Sequence, residues 1–76
     1  MTQKEWLEAF AVNLKSMMTK YGYTQHMLAH DANLNQSTIC KYLTMRQTPS
    51  IKAIMNIANV FGCSIGDLID FGERIE

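Results

Sequence analysis

The sequence predicts an all-α domain of five helices, on three observations. Apolar residues return every third or fourth position in five successive segments, which is the spacing of one helix face. Residues that start or stop helices bound these segments: Thr24, Asn35, Ser50 and Ser64 at beginnings, Gly22, Asn33 and Gly62 at ends. No run alternates apolar and polar residues as a half-buried strand would. With 76 residues and a hydrophobic fraction of 47%, the chain reads as one globular domain, residues 1–76, rather than a disordered segment. A domain this small needs close packing or a partner subunit.

The first helix covers residues 3–21. Leu7, Phe10, Leu14, Met17, Met18 and Tyr21 make its apolar face, and Gly22 supplies a left-handed stop. Thr24 caps the second helix, residues 25–32, whose buried face is Leu28 and Ala29. Asn33 tolerates the left-handed conformation that ends it. Asn35 is the next N-cap, and the third helix runs from 36 to about 44 with Ile39, Tyr42 and Leu43 inward. Residues 45–48 form a loop. Pro49 and Ser50 then open a fourth helix with Ile51, Ile54, Ile57, Ala58 and Phe61 on its apolar face and Gly62 at its end. Ser64, with Asp67 three residues on, forms a capping box for a short fifth helix that uses Ile65, Leu68 and Ile69. Residues 71–76 are a tail.

The formal net charge is zero, but the charges are segregated. Residues 15–52 carry Lys15, Lys20, Lys41, Arg46 and Lys52 against Asp31, whereas residues 53–76 carry Asp67, Asp70, Glu73 and Glu76 against Arg74. A basic centre and an acidic end give the molecule one face for a polyanion and another for something else.

Several function classes lack support. Cys40 and Cys63 have no metal spacing, and without a secretory leader they read as reduced thiols of a cytoplasmic protein. The longest uncharged run, residues 53–66, is too short and too polar to span a bilayer, so no membrane is implied. His26 and His30 stand one helical turn apart, but no third ligand is evident and no metal site is expected. There is no nucleophile elbow, paired-carboxylate pattern or phosphate-cradling glycine loop, so neither an enzyme nor a cofactor is expected. Trp6 and the methionines read as filler of a core or an interface.

The informative unit is residues 24–44, two short helices joined by a tight turn. The second is apolar on one side through Ile39, Tyr42 and Leu43, and polar or small on the other through Gln36, Ser37, Thr38, Cys40 and Lys41. It contains no acid. A helix lying in the DNA major groove needs this composition. Gln pairs bidentately with adenine, Lys donates to guanine O6 and N7, and Ser or Thr serves either base. Hydroxyls and helix N-terminal amides also suit phosphates.

The stretch from Tyr23 to Leu68 resembles the phage repressor and Cro-like (Xre-like) helix-turn-helix family. The likeness rests on the joint spacing of Thr24-Gln25, Leu28-Ala29, Leu34-Asn35, Thr38-Ile39, Pro49-Ser50 and the "IANVFGCSIGDL" ending. It implies a five-helix, lambda-repressor-like domain that binds double-stranded DNA and regulates transcription. It places Gln36, Ser37 and Lys41 at base-reading positions, and Gln25, Asn35, Thr38, Thr44 and Arg46 at backbone-contacting ones. It also implies a small repressor, or a controller of phage, prophage or restriction–modification type. Two departures stand out: Met45 occupies a place that usually holds glycine, and Met18 and Leu43 occupy the places of a buried arginine–glutamate pair.

One such module neutralises few phosphates, so the expected working species is a homodimer joined through Ile65, Leu68, Ile69 and Phe71, away from the DNA. The alternative is an antitoxin-like module whose main contact is another protein, marked by an exposed apolar patch.

Overall fold

The computed structural model describes residues 3–69. It contains α1 (Gln3–Tyr21), α2 (Gln25–Asp31), α3 (Gln36–Leu43), α4 (Ile51–Phe61) and α5 (Ile65–Ile69), and no strand among the described residues. None of these helices is long and apolar enough to cross a membrane. α2 and α3 each end one residue earlier than their sequence pattern implies, at the caps Ala32 and Thr44.

The helix starts follow from side-chain capping. Thr24 Oγ1 accepts from the Met27 amide at 3.1 Å, and Ser50 Oγ from the Ala53 amide at 3.1 Å. Ser64 and Asp67 exchange hydrogen bonds reciprocally, at 3.2 and 3.4 Å, as a capping box does. α3 is the exception. Asn35 has the extended backbone of an N-cap, φ −85° and ψ 148°, but its side chain makes no capping hydrogen bond.

Four helix ends share one device. After α1, α2, α3 and α4, the residue with positive φ is Gly22 (71°), Asn33 (60°), Met45 (60°) and Gly62 (68°). Each is bracketed by the paired backbone bonds of a Schellman turn; after α3 these run from the Met45 amide to Tyr42 O (3.2 Å) and from the Arg46 amide to Lys41 O (2.8 Å). The methionine thus keeps the left-handed turn that glycine usually makes, despite its side chain.

The core is apolar throughout: among the described residues no polar or charged side chain is buried. Phe10 and Leu14 of α1, Leu28 of α2, Ile39 of α3, Ile54 and Ile57 of α4 and Leu68 of α5 are its fully buried members. α1 packs on α3 and α5, α2 on α3 and α4, and α4 on α5. Phe10 meets the Tyr42 ring edge-on at 5.9 Å and stacks on Trp6 at 6.1 Å, which seats α3 on α1. Two asparagines tie helix ends across the fold. Asn13 Nδ2 donates to Leu68 O at 2.8 Å, and Asn56 Nδ2 to Ala32 O at 3.2 Å, each satisfying a carbonyl at a helix C-terminus.

Three apolar positions differ from the sequence pattern. Ile51, read as inward, is 65% exposed. It lies about 90° around α4 from the centre of the buried arc, on the open side of a first turn whose Ala53 and Ile54 are buried. Tyr21 is half exposed at the end of α1 and lies stacked over Phe61 at 5.7 Å. Leu68, assigned to a dimer surface, has no exposed area and closes the protomer core against α1.

Candidate nucleic-acid interface

Ile39 and Tyr42 are buried, and they orient α3. The direction opposite their midpoint is the outward face. At about 100° per residue, Ser37 and Thr44 lie within about 10° of that direction, Cys40 and Lys41 about 50° to either side, and Gln36 about 90° away. Thr38 lies about 110° from it, towards the core. Burial agrees: Gln36, Ser37, Lys41 and Thr44 are exposed, Cys40 and Thr38 half-buried. The three residues expected to read bases therefore share one solvent-facing surface, with Thr38 at its margin.

The remaining expected contacts surround this surface. Gln25 is half-buried in the first turn of α2, directly after its Thr24 cap. Asn35 is exposed, and because its side chain does not cap α3, the helix start keeps amides open to an acceptor from outside. Arg46 is exposed and held by its own amide bond to Lys41 O at 2.8 Å, so the Schellman turn sets where its side chain begins. Thr44 is exposed, but its hydroxyl donates to Cys40 O at 2.9 Å and lies 3.4 Å from Lys41 O. In the free protein that hydroxyl closes the end of α3, so a phosphate would have to compete for it.

The electrostatics favour an anion. No acidic residue occurs between Asp31 and Asp67, while Lys41, Arg46 and Lys52 lie in that interval. Asp31, just before it, is occupied elsewhere: its carboxylate lies 3.1 Å from His30 Nδ1 and accepts from the Tyr23 hydroxyl at 3.1 Å. These two hydrogen bonds, the histidine's the larger effect, hold its pKa below the usual carboxylate value. His30, one of the two histidines at ligand spacing, is thereby paired with Asp31. No group of three metal-ligating side chains is present among the described residues.

Sequence reasoning placed Gln36, Ser37 and Lys41 on one face but treated Cys40 as inert. Its place on that face agrees with the sequence pattern, and the burial of Ile39 and Tyr42 sets it about 50° from the centre. Of the proposed dimer residues, Ile65 and Ile69 are partly buried against the core, Leu68 is fully buried, and Phe71 lies outside the described residues.

The fold and this surface can be set beside known proteins. A transcriptional regulator from Listeria innocua is similar in structure, with a TM-score of 0.73 and 25% sequence identity. The match covers 88% of this chain and 63% of that one, so the chain spans less than two thirds of that regulator's length. No curated protein matches the sequence. Residues 13–73 match the family described as the Cro/C1-type HTH DNA-binding domain. That match takes in the α2–turn–α3 unit and every residue of its outward face, and the chain belongs to the Cro/C1-type helix-turn-helix family.

Proposed function

We propose that the chain binds double-stranded DNA in a sequence-specific manner and regulates transcription from the site it occupies. The observation that carries this is α3 itself. It is an acid-free helix anchored by Ile39 and Tyr42, and it turns Gln36, Ser37 and Lys41 to solvent. In this reading those three side chains select bases, while Gln25, Asn35, Thr38, Thr44 and Arg46 hold the phosphate backbone. The finer role is that of a small cytoplasmic repressor, or a controller of phage, prophage or restriction–modification type.

The working species in this reading is a homodimer, because one reading helix neutralises few phosphates and two on a two-fold axis would lie about 34 Å apart, one DNA turn. With Leu68 consumed by the core, the contact falls to Ile65, Ile69 and Phe71. A protein-binding, antitoxin-like role has less support. Among the described residues the large exposed apolar side chains are spread over α1, α2, α4 and the loop, and only Ile51 and Met55 stand one turn apart on one helix.

Selection of bound sequences from a random DNA pool, run on the wild type and on Gln36→Ala, Lys41→Ala and Arg46→Ala, tests the proposal. The first two should each lose about 1–3 kcal/mol of discrimination at one base position. Arg46→Ala should weaken all sequences alike and lower the salt slope by about one unit. Unchanged base preference in Gln36→Ala and Lys41→Ala refutes the reading surface, and one protomer per site at saturation refutes the dimer.

A further inference from the structure

We propose that Cys40 is a fourth base-reading residue and that the group it reads is the 5-methyl of thymine. The inference rests on α3 being the reading helix, and it assigns chemistry to a position on that helix that has none so far.

The geometry comes first. Cys40 stands about 50° from the centre of the outward face, as near to it as Lys41 on the other side. It follows Gln36 by one turn and Ser37 by three residues, so its side chain stands on the same stripe as theirs. Its side chain is as short as that of Ser37, so the two have similar reach from this face. Cys40 is half-buried, so part of its surface remains open to solvent.

The chemistry decides what it meets. A thiol behaves as a small hydrophobe with a weak donor, and it is a poor partner for a base amine or carbonyl. Its neighbour along the stripe, Thr44, donates its hydroxyl to Cys40 O at 2.9 Å in the free protein, so that hydroxyl is committed there until a phosphate competes for it. On this surface Gln36, Ser37 and Lys41 are polar, and Cys40, between Gln36 and Ser37, is the least polar side chain. In the major groove the polar groups of base pairs are matched by amides, ammonium groups and hydroxyls, and the one apolar group on offer is the thymine methyl. Cys40 is unlike the other cysteine in this respect. Both are half-buried, but the thiol of Cys63 is directed at Met17 Sδ, 3.7 Å away, and takes part in packing.

The test uses the half-site defined by selection from random DNA. Each thymine in it is replaced singly by deoxyuridine, which removes the methyl and nothing else. At one position per half-site the wild type should lose roughly fourfold in affinity, the value of one buried methyl group. Cys40→Ser, nearly isosteric but polar, should bind thymine and uracil equally there, and Cys40→Val should restore the preference for thymine. Circular dichroism confirms that each variant is folded. Bound DNA should also protect Cys40 from alkylation by iodoacetamide, with Cys63 as the internal control. A defined motif at which uracil substitution is neutral everywhere, a thymine preference retained by Cys40→Ser, or a Cys40 that reacts equally fast with and without DNA each overturns this inference alone. Absence of any sequence-selective binding overturns the reading of α3 as well.

Discussion

Met45 is the residue at which sequence and backbone conflict most openly. It holds φ 60° in the Schellman turn after α3, where two of the other three such turns use glycine and the third asparagine. A side chain in the left-handed region costs about 1–2 kcal/mol through the clash of Cβ with the following carbonyl oxygen. Glycine escapes that cost but brings about 0.4–1 kcal/mol of extra unfolded-state entropy. Replacing methionine also removes the contacts of a side chain that is 40% exposed, which would blur a direct comparison with glycine. Met45→Ala removes the same contacts and retains the strain, so the two variants together isolate the backbone. Met45→Gly should be more stable than Met45→Ala by about 1 kcal/mol, the difference of those two ranges. For a domain of this size that is about 4–8 °C in Tm. Met45→Asn should fall between them. Thermal and urea unfolding followed by circular dichroism measure the difference, with an unchanged urea m-value showing that stability has altered and the surface exposed on unfolding has not. An alanine variant as stable as the glycine one would mean that residue 45 does not occupy the left-handed region. The placement of Arg46 argued from that turn would then fail with it.

Three other outcomes follow from packing and titration. Leu68→Ala should cost about 2–5 kcal/mol in urea unfolding, because a fully buried side chain leaves a cavity between α5 and α1; a loss near zero would show α5 undocked. Met18→Arg should destabilise by about 3–5 kcal/mol, because it buries an unpaired charge, and adding Leu43→Glu should recover much of that; an additive double-mutant cycle would rule out their pairing. Asp31 titrates below its ordinary value in the folded protein, so its contribution is complete above the usual carboxylate range, about pH 4, and is lost as pH falls through the folded value. Tyr42, raised by burial, and Tyr23, raised chiefly by its hydrogen bond to Asp31, act in the opposite sense. Their contribution is complete below about pH 10 and lost as pH rises through the folded values. Urea midpoints against pH should therefore fall at both extremes. Asp31→Asn should flatten the acid limb and Tyr42→Phe the alkaline one; limbs that stay unaltered would remove these residues from the account.

The sequence by itself determined where the helices begin and end and which stripe of each is apolar. That information sits within a turn or two of chain. Thr24 reaches the Met27 amide, Ser50 reaches Ala53, and Ser64 meets Asp67, all across three residues. The outward set of α3 was legible for the same reason, since Gln36, Ser37 and Lys41 are separated from Ile39 and Tyr42 by the helical period alone. Tertiary structure decided matters that depend on which neighbour arrives from far along the chain. Leu68 is equally apolar as an interface residue or as a core residue, and it is buried because α5 returns to α1, tied by the Asn13–Leu68 hydrogen bond across 55 positions. Ile51 belongs to the apolar pattern of α4 yet stays exposed because it lies to one side of the arc buried through Ala53, Ile54 and Ile57. Asn35 has the identity of a cap, and whether its side chain turns to its own helix or away from it is a choice of rotamer that composition does not dictate. Met45 shows the same limit from the other side. The turn after α3 is imposed by the seating of α3 on α1 through Tyr42 and Phe10, and the local residue conforms to it because the burial of those rings outweighs one strained torsion.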